Sequence, residues 1–457
     1  MSLGTRAAAI FALAAALALP LYLAAFGGTP VFEPDSPGYV AMAGDLADGR
    51  LERLWPRTVG YPALLVATGS VPAPGWPLVA VQLALHGIAV LAVASMLARL
   101  GAGPAALVVF GAVAFSPPFV EHAAFVLSES LTAALLCAGA AAWLRHLLDG
   151  GRAALALAAA CLAAVGLSHP IYVPSGPILV GVAWAGVLLL PLPRVLLRRA
   201  ATGGIVIVLA TLAVVSAVTA YNRAQFGFTG LSPLLGITLS HKTPRALETL
   251  PPEYDAVREI LIRHRDADLV DPRGDHLGYA YVYRALPELE QATGLHGLDL
   301  SSYLVRMNLV LIAHHPMEYL DEVARSLLWY ASPGVTSVGG LGSPVLRAVG
   351  NLERAVVNAA FVGAAVLLAG PAALRLGRAP RPLRRPASPA SCDARLVAAA
   401  SFLALVCASG LLSSALTAAV WRLRVPVDLL LIGFVVLAPA LWRDLTHLVP
   451  APGTSAS

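Results

Sequence analysis

The stretch "FEPDSPGYVAMAGDL", Phe32 to Leu46, follows directly on a long apolar run and sets two carboxylates, Glu33 and Asp35, beside a Ser-Pro pair. Asp35-Ser36-Pro37 predicts a helix start, with Ser36 at the N-cap and Pro37 at the first helical position, where a missing N–H is no loss. Tyr39, Met42, Ala43 and Leu46 would then share one face of a short helix. Asp35 stands just ahead of the helix N-terminus, whose dipole favours an ionised carboxylate. Held that way, the carboxylate can take a proton from a hydroxyl as a general base. It also suits plain service in a turn or cap. Arginine supplies the complementary chemistry, from Arg57 in "RTVGYP" and from Arg422 and Arg424 in "WRLRVPVD". A planar guanidinium can grip a phosphate through two N–H groups, although at a span end it more commonly reaches for the headgroups. Glu129, in "LSES", opens an apolar run as either a first-turn acid or a functional rim carboxylate. His169, in "GLSHP", can hydrogen-bond a sugar or phosphate, or serve structure alone. Lys242 in "SHKTP", the only lysine, offers a second phosphate contact against the reading of an ordinary surface lysine.

The elements that must position these residues belong to a membrane protein. Of the 457 residues, 58% are hydrophobic and only 12% charged, where a soluble domain carries about a quarter charged. Apolar runs at about 6–26, 77–99, 104–120, 128–147, 153–170, 174–193, 201–220, 355–376, 395–418 and 427–442 predict an all-α polytopic fold of about ten transmembrane helices. The first run reads as an anchor, because no clear small-x-small cleavage site follows it. With the N-terminus cytoplasmic, the inner connections collect Arg99, Arg145, Arg152, Arg194, Arg198, Arg199, Arg375, Arg378, Arg381, Arg384, Arg385 and Arg395. The connections at 121–127 and 169–173 hold no Lys or Arg and fall outside. An even count returns the C-terminus to the cytoplasm, at an inner membrane. The chain divides into an N-terminal transmembrane module, 1–220, with a first outer loop at 27–76, and an extracytoplasmic region, 221–354, with helical stretches "YDAVREILIRH" and "PMEYLDEVARSLLWY". C-terminal helices follow at 355–457, with a basic cytoplasmic loop at 377–394. The middles of the spans read as almost pure Ala, Leu and Val.

Composition also removes several functions. The net charge of +5 comes almost wholly from arginine, which suits a membrane surface and gives no reason to invoke nucleic acid. Cys137, Cys161, Cys392 and Cys407 form no CxxC or Cys/His spacing. "RDADLVDPRGD" fails the calcium-loop pattern, with Val270 at the fifth position and Asp271 at the glycine position, and reads as a solvated turn. Chemistry without a metal or cofactor is expected.

Taken in order, the motifs resemble those of one family. "D-S-x-x-Y-x-x-x-A" at Asp35, followed by "R-x-x-x-YP" from Arg57 to Pro62, resembles the first outer loop of GT-C glycosyltransferases, polytopic enzymes that take sugar from a polyprenyl phosphate. The protein mannosyltransferase and aminoarabinose transferase families belong to them. "LSES" at Glu129, "YNRAQFGFTGLSPLLGITL" from Tyr221, "IAHHPMEYL" from Ile312 and "WRLRVPVD" from Trp421 resemble later segments of such enzymes, so the likeness covers most of the chain. It departs at Ser36, where many members carry a second acid, and at His169, where relatives often show Arg before Pro. The resemblance implies inverting transfer of a sugar from a polyprenyl-phosphate donor to a lipid, polysaccharide or protein acceptor at the outer face. It makes Asp35 the general base and Arg57, Arg422 and Arg424 the donor's phosphate contacts, with Tyr39, Glu129, His169 and Lys242 lining the substrates. A transporter or lipid flippase is the alternative, since such proteins use broken helices and polar residues at mid-span. A non-catalytic scaffold built on the large outer region is a further one.

Overall fold

A computed structural model describes residues 28–50, 57–190, 194–270, 281–331, 344–376, 392–416 and 421–446. The first apolar run, the basic loop up to residue 391 and the C-terminal tail lie outside the described residues. Every regular element described is helical, apart from one isolated bridge between Val31 and Phe125. Two short helices, α1 (Ser36–Ala47) and α2 (Gly60–Ala67), lead into α3 (Trp76–Arg99), α4 (Pro104–Ala114) and α5 (Pro117–Val120). Next come α6 (Glu129–Asp149), α7 (Arg152–Ser168), α8 (Ser175–Leu189) and α9 (Arg194–Phe226). The polar region contributes α10 (Leu235–Ser240), α11 (Asp255–Val270), α12 (Tyr281–Thr293), α13 (Gly297–His314) and α14 (Pro316–Ala331). Helices α15 (Pro344–Leu376), α16 (Cys392–Leu416) and α17 (Val425–Thr446) complete the described chain. Seven of the described helical segments, counting α8 together with the turn before it as Pro170–Leu189, are long and apolar enough to cross a membrane, which makes this a multi-pass, all-α membrane protein. Helix α7, at 17 residues, is apolar but shorter.

The run expected to span 104–120 does not continue as one helix. It ends at Ala114, and the segment from Pro117 to Ala124 bends away by 65°. Pro117 and Pro118 explain the break: proline lacks the N–H of a helical bond and forces the residue before it into extended conformation, as Ser116 shows with φ −69° and ψ 152°. Every residue from Pro118 to Ser130 is buried. Irregular backbone at membrane depth needs internal partners. Helix α3 provides them: the Gln82 amide donates to the carbonyls of Ala123 and Phe125 at 3.0 and 2.9 Å, and the His86 ring meets the Ala114 carbonyl at 2.8 Å. The expectation that the middles of the spans are almost pure Ala, Leu and Val is therefore corrected in α3, whose buried Gln82 and His86 satisfy the broken span beside it.

Polar contacts separate the bundle into two ends. At one, Arg99 pairs with Asp149, Arg199 donates to the carbonyls of Leu147 and Leu148, and Arg395 pairs with Asp444. At the other lie Asp35, Glu129, Ser168 and the Trp421–Arg424 turn. Helices α9 and α15, at 33 residues each, run about 50 Å and outreach a hydrocarbon core of about 30 Å. Described residues of this region, among them Leu247, Leu261, Tyr281, Leu304 and Met307, pack round a core of their own. Helix α14 ties to α16 through Tyr319, whose hydroxyl donates to the Ala415 carbonyl at 3.0 Å. The stretch Arg265–Val270, read above as part of a solvated turn, is instead the last part of α11, where Asp268 is buried and paired with Arg284.

Candidate functional site at the Asp35 end

The loop that carries Asp35 is pinned before its helix begins. The Val31 N–H donates to the Ala124 carbonyl at 2.8 Å, and the Val126 N–H donates back to the Val31 carbonyl at 3.0 Å. The Ser36 hydroxyl accepts from the Glu33 N–H at 2.8 Å and donates to the Val126 carbonyl at 2.9 Å. Helix α1 consequently starts one residue earlier than expected: Ser36 is already helical and Asp35 holds the cap position, with no side-chain cap bond. The Ser36 hydroxyl is committed to the loop, and the Asp35 carboxylate is turned to Arg57, which donates to it at 2.7 Å. Tyr39, Met42 and Ala43 form the buried face of α1, as their spacing predicts.

Arg57 is held from a further side by Tyr39. Its guanidinium lies over the Tyr39 ring, 4.4 Å from the centroid, a placement that favours the cation through the ring's negative face. Tyr39 packs edge-on against Tyr61 at 5.0 Å and donates to the Ser128 hydroxyl at 3.2 Å. Tyr61 in turn donates to Gln82 at 3.1 Å. Burial raises the Tyr39 phenol above its ordinary pKa, opposed by Arg57 and reinforced by Glu129, so the hydroxyl stays a donor. Thr58 donates to the Ser168 carbonyl at 3.2 Å, and the Ser168 hydroxyl accepts from Thr132 at 3.0 Å. Gly60 permits that approach, since a Cβ there would stand 2.6 Å from the Leu167 carbonyl oxygen. Glu129, buried in the first turn of α6, follows directly on Ser128. Asp35, Arg57 and Tyr39 thus meet in direct contact, with Glu129 beside them.

The remaining sequence-derived residues lie elsewhere or in other states. Arg424 is not an open cation: at 2% exposed, it donates to Asp428 at 2.7 Å and to the Asn358 side-chain oxygen at 2.9 Å. Asp428, one helical turn further on, neutralises it. Of Arg422 only the backbone lies in the Trp421–Arg424 turn, and its side chain falls outside the described residues. His169 packs edge-on to Tyr172 at 5.5 Å. The Tyr172 hydroxyl donates to the Leu423 carbonyl and accepts from Ser409 at 3.1 Å. Tyr172 therefore joins His169 to the turn that carries Arg424.

Lys242 is corrected outright as a surface lysine. It is 2% exposed, donates to Ser326 and faces Glu322, and burial lowers it to about 8. A side chain so enclosed supports the fold of the polar region. The sequence reading missed Glu121 and Arg354, a buried ion pair between the broken span and α15. Arg354 also donates to the Pro118 carbonyl and sits over the Phe119 ring at 5.7 Å. Their signal was present as charges bordering apolar runs, which are expensive in a membrane and seldom incidental. Among the described residues, no group of three His, Cys, Asp or Glu could hold a metal.

Compared with family models, with characterised proteins and with solved structures, the chain matches none.

Proposed function

We propose that this protein is a GT-C-type glycosyltransferase, with ten spans and both termini in the cytoplasm, working at the outer face of the cytoplasmic membrane. It moves a sugar from a polyprenyl phosphate to an acceptor hydroxyl with inversion. One observation carries the reading: Asp35, at the mouth of α1, is oriented by Arg57, which is itself clamped on Tyr39. In the step envisaged, the acceptor oxygen bonds to the anomeric carbon as the bond from that carbon to phosphate breaks. Asp35 receives the acceptor's proton, and polyprenyl phosphate departs with the bonding pair. An oxocarbenium-like transition state lets that proton leave late, so an ordinary carboxylate suffices. Arg57 both aims the base and lies nearest the developing phosphate charge. Because Asp428 and Asn358 already hold Arg424, that arginine serves by fixing the turn that carries Arg422, and Arg422 remains the second phosphate contact of the proposal.

The test is turnover by purified protein given defined polyprenyl-phosphate sugars and a mixture of lipid, polysaccharide and peptide acceptors. Release of polyprenyl phosphate with inverted product is expected; retained anomeric configuration would sink the assigned role of Asp35. The broken span, with buried Glu121, Arg354, His122 and His86, favours transport as the second reading. Protein in sealed vesicles that moves a lipid-linked sugar across the bilayer without cleaving it would establish that reading instead.

A further inference from the structure

The bundle's lipid-facing side carries a groove between α8 and α9, at some distance from the Asp35 group. It is an open groove of about 350 Å³ lined by Val180, Trp184, Ala201, Gly204, Ile205 and Leu209, with Val208. Helix α9 can lie close to α8 because residue 204 is glycine: a Cβ there would sit 2.7 Å from Val180. The walls are apolar, and Ile205 and Leu209 remain 61% and 59% exposed. A cavity of this kind in the hydrocarbon layer takes a chain of methylenes.

The helix period says what stands at the head of that chain. At 3.6 residues per turn, Arg194, Arg198, Ala201, Ile205 and Val208 fall on one stripe of α9. Arg194 and Arg198 are both exposed, and they lie at the Arg99 end, above the floor of the groove. Their neighbour Arg199 points elsewhere, to the carbonyls of Leu147 and Leu148. We infer that the groove and these two arginines form a site for one anionic phospholipid, its acyl chain along α8 and α9 and its phosphate between Arg194 and Arg198. Charge decides the occupant. Two guanidinium groups with no carboxylate on the same stripe select an anionic headgroup over a zwitterionic one. The inference is independent of the proposed transfer reaction.

The probes are phosphatidylglycerol, phosphatidylcholine and undecaprenyl phosphate, offered to the purified full-length protein in detergent, with retained lipid read by native mass spectrometry. Phosphatidylglycerol should be held preferentially. Arg194→Gln with Arg198→Gln should weaken that retention roughly tenfold or more, as expected for two cations at the surface. Ala201→Trp, which fills the groove and keeps the charges, should weaken it as well, while Arg152→Gln, an exposed arginine at the same end, should not. Equal retention of phosphatidylcholine, loss of undecaprenyl phosphate rather than phosphatidylglycerol on the groove variants, or indifference of phosphatidylglycerol to either groove variant would overturn the assignment. A thermal melt of each variant separates loss of the site from loss of the fold.

Discussion

At the Arg99 end of the bundle, charged side chains pair within reach of water: Arg99 and Asp149 keep 36% and 34% of their side-chain surface exposed. At the Asp35 end the pairs go inside. Arg354 and Glu121 are 1% and 0% exposed, and Arg424 and Asp428 2% and 6%. An exposed pair contributes little, because solvent screens it and two long side chains must be ordered. A buried pair suffers a desolvation penalty that its attraction offsets only when both members are present with good geometry. The Arg99 end therefore uses charge to anchor, while the Asp35 end uses it to fix positions. Asp35 and Arg57 lie between the extremes, with side chains 29% and 18% exposed, ordered yet still open to a substrate.

Variants can break this contrast in sequence of expected size. Glu121→Ala leaves the Arg354 guanidinium buried without its carboxylate and should cost about 3–5 kcal/mol. Pairing Glu121→Leu with Arg354→Met should recover most of that loss, as read by denaturant unfolding in a fixed detergent. If Glu121→Ala melts like the parent, the buried pair is not holding α15 to the broken span.

A smaller, pH-dependent effect belongs to Lys242. Burial lowers its pKa from 10.5 to about 8, so between those values the unfolded chain binds more protons than the folded one. The contribution is present above about 10.5 and is lost as pH falls through about 8. Stability of the parent should thus rise over that alkaline window relative to Lys242→Met, which lacks the titrating group. Parallel pH profiles for the two proteins would count against a buried Lys242. The smallest effect is expected at the opposite end, where Arg99→Ala should change stability by under about 1 kcal/mol. A loss as large as that of Glu121→Ala would erase the distinction between the ends.

Much of the helical layout was legible because apolar runs of span length have few other fates. The break before Pro117 was also readable in "FSPPF", had proline chemistry been weighed against hydropathy there. The contact of Asp35 with Arg57 lies 22 residues along the chain, and sequence could nominate both without showing that they touch. Arg424 misled for a local reason: Asp428 stands four residues later in the same quoted motif, at the spacing that places both on one helical face. Lys242 misled for a non-local one, since Ser326 and Glu322 reach it from a helix some 80 residues distant, as the Ser326 separation of 84 shows. Ser128, Ser168 and Thr132, which carry the framework beneath Arg57, gave no signal at all. Small hydroxyl residues are common in helices, and their partners are set only by packing.

The central claim is that Asp35 removes a proton in sugar transfer from a lipid carrier, and it is tested most directly by comparing the parent with Asp35→Asn. Both would be purified, shown to melt alike, and given the same polyprenyl-phosphate sugar and acceptor. Loss of a general base predicts turnover lower by about 10²–10⁴-fold, with donor retention largely kept. Turnover equal to the parent's would contradict the account.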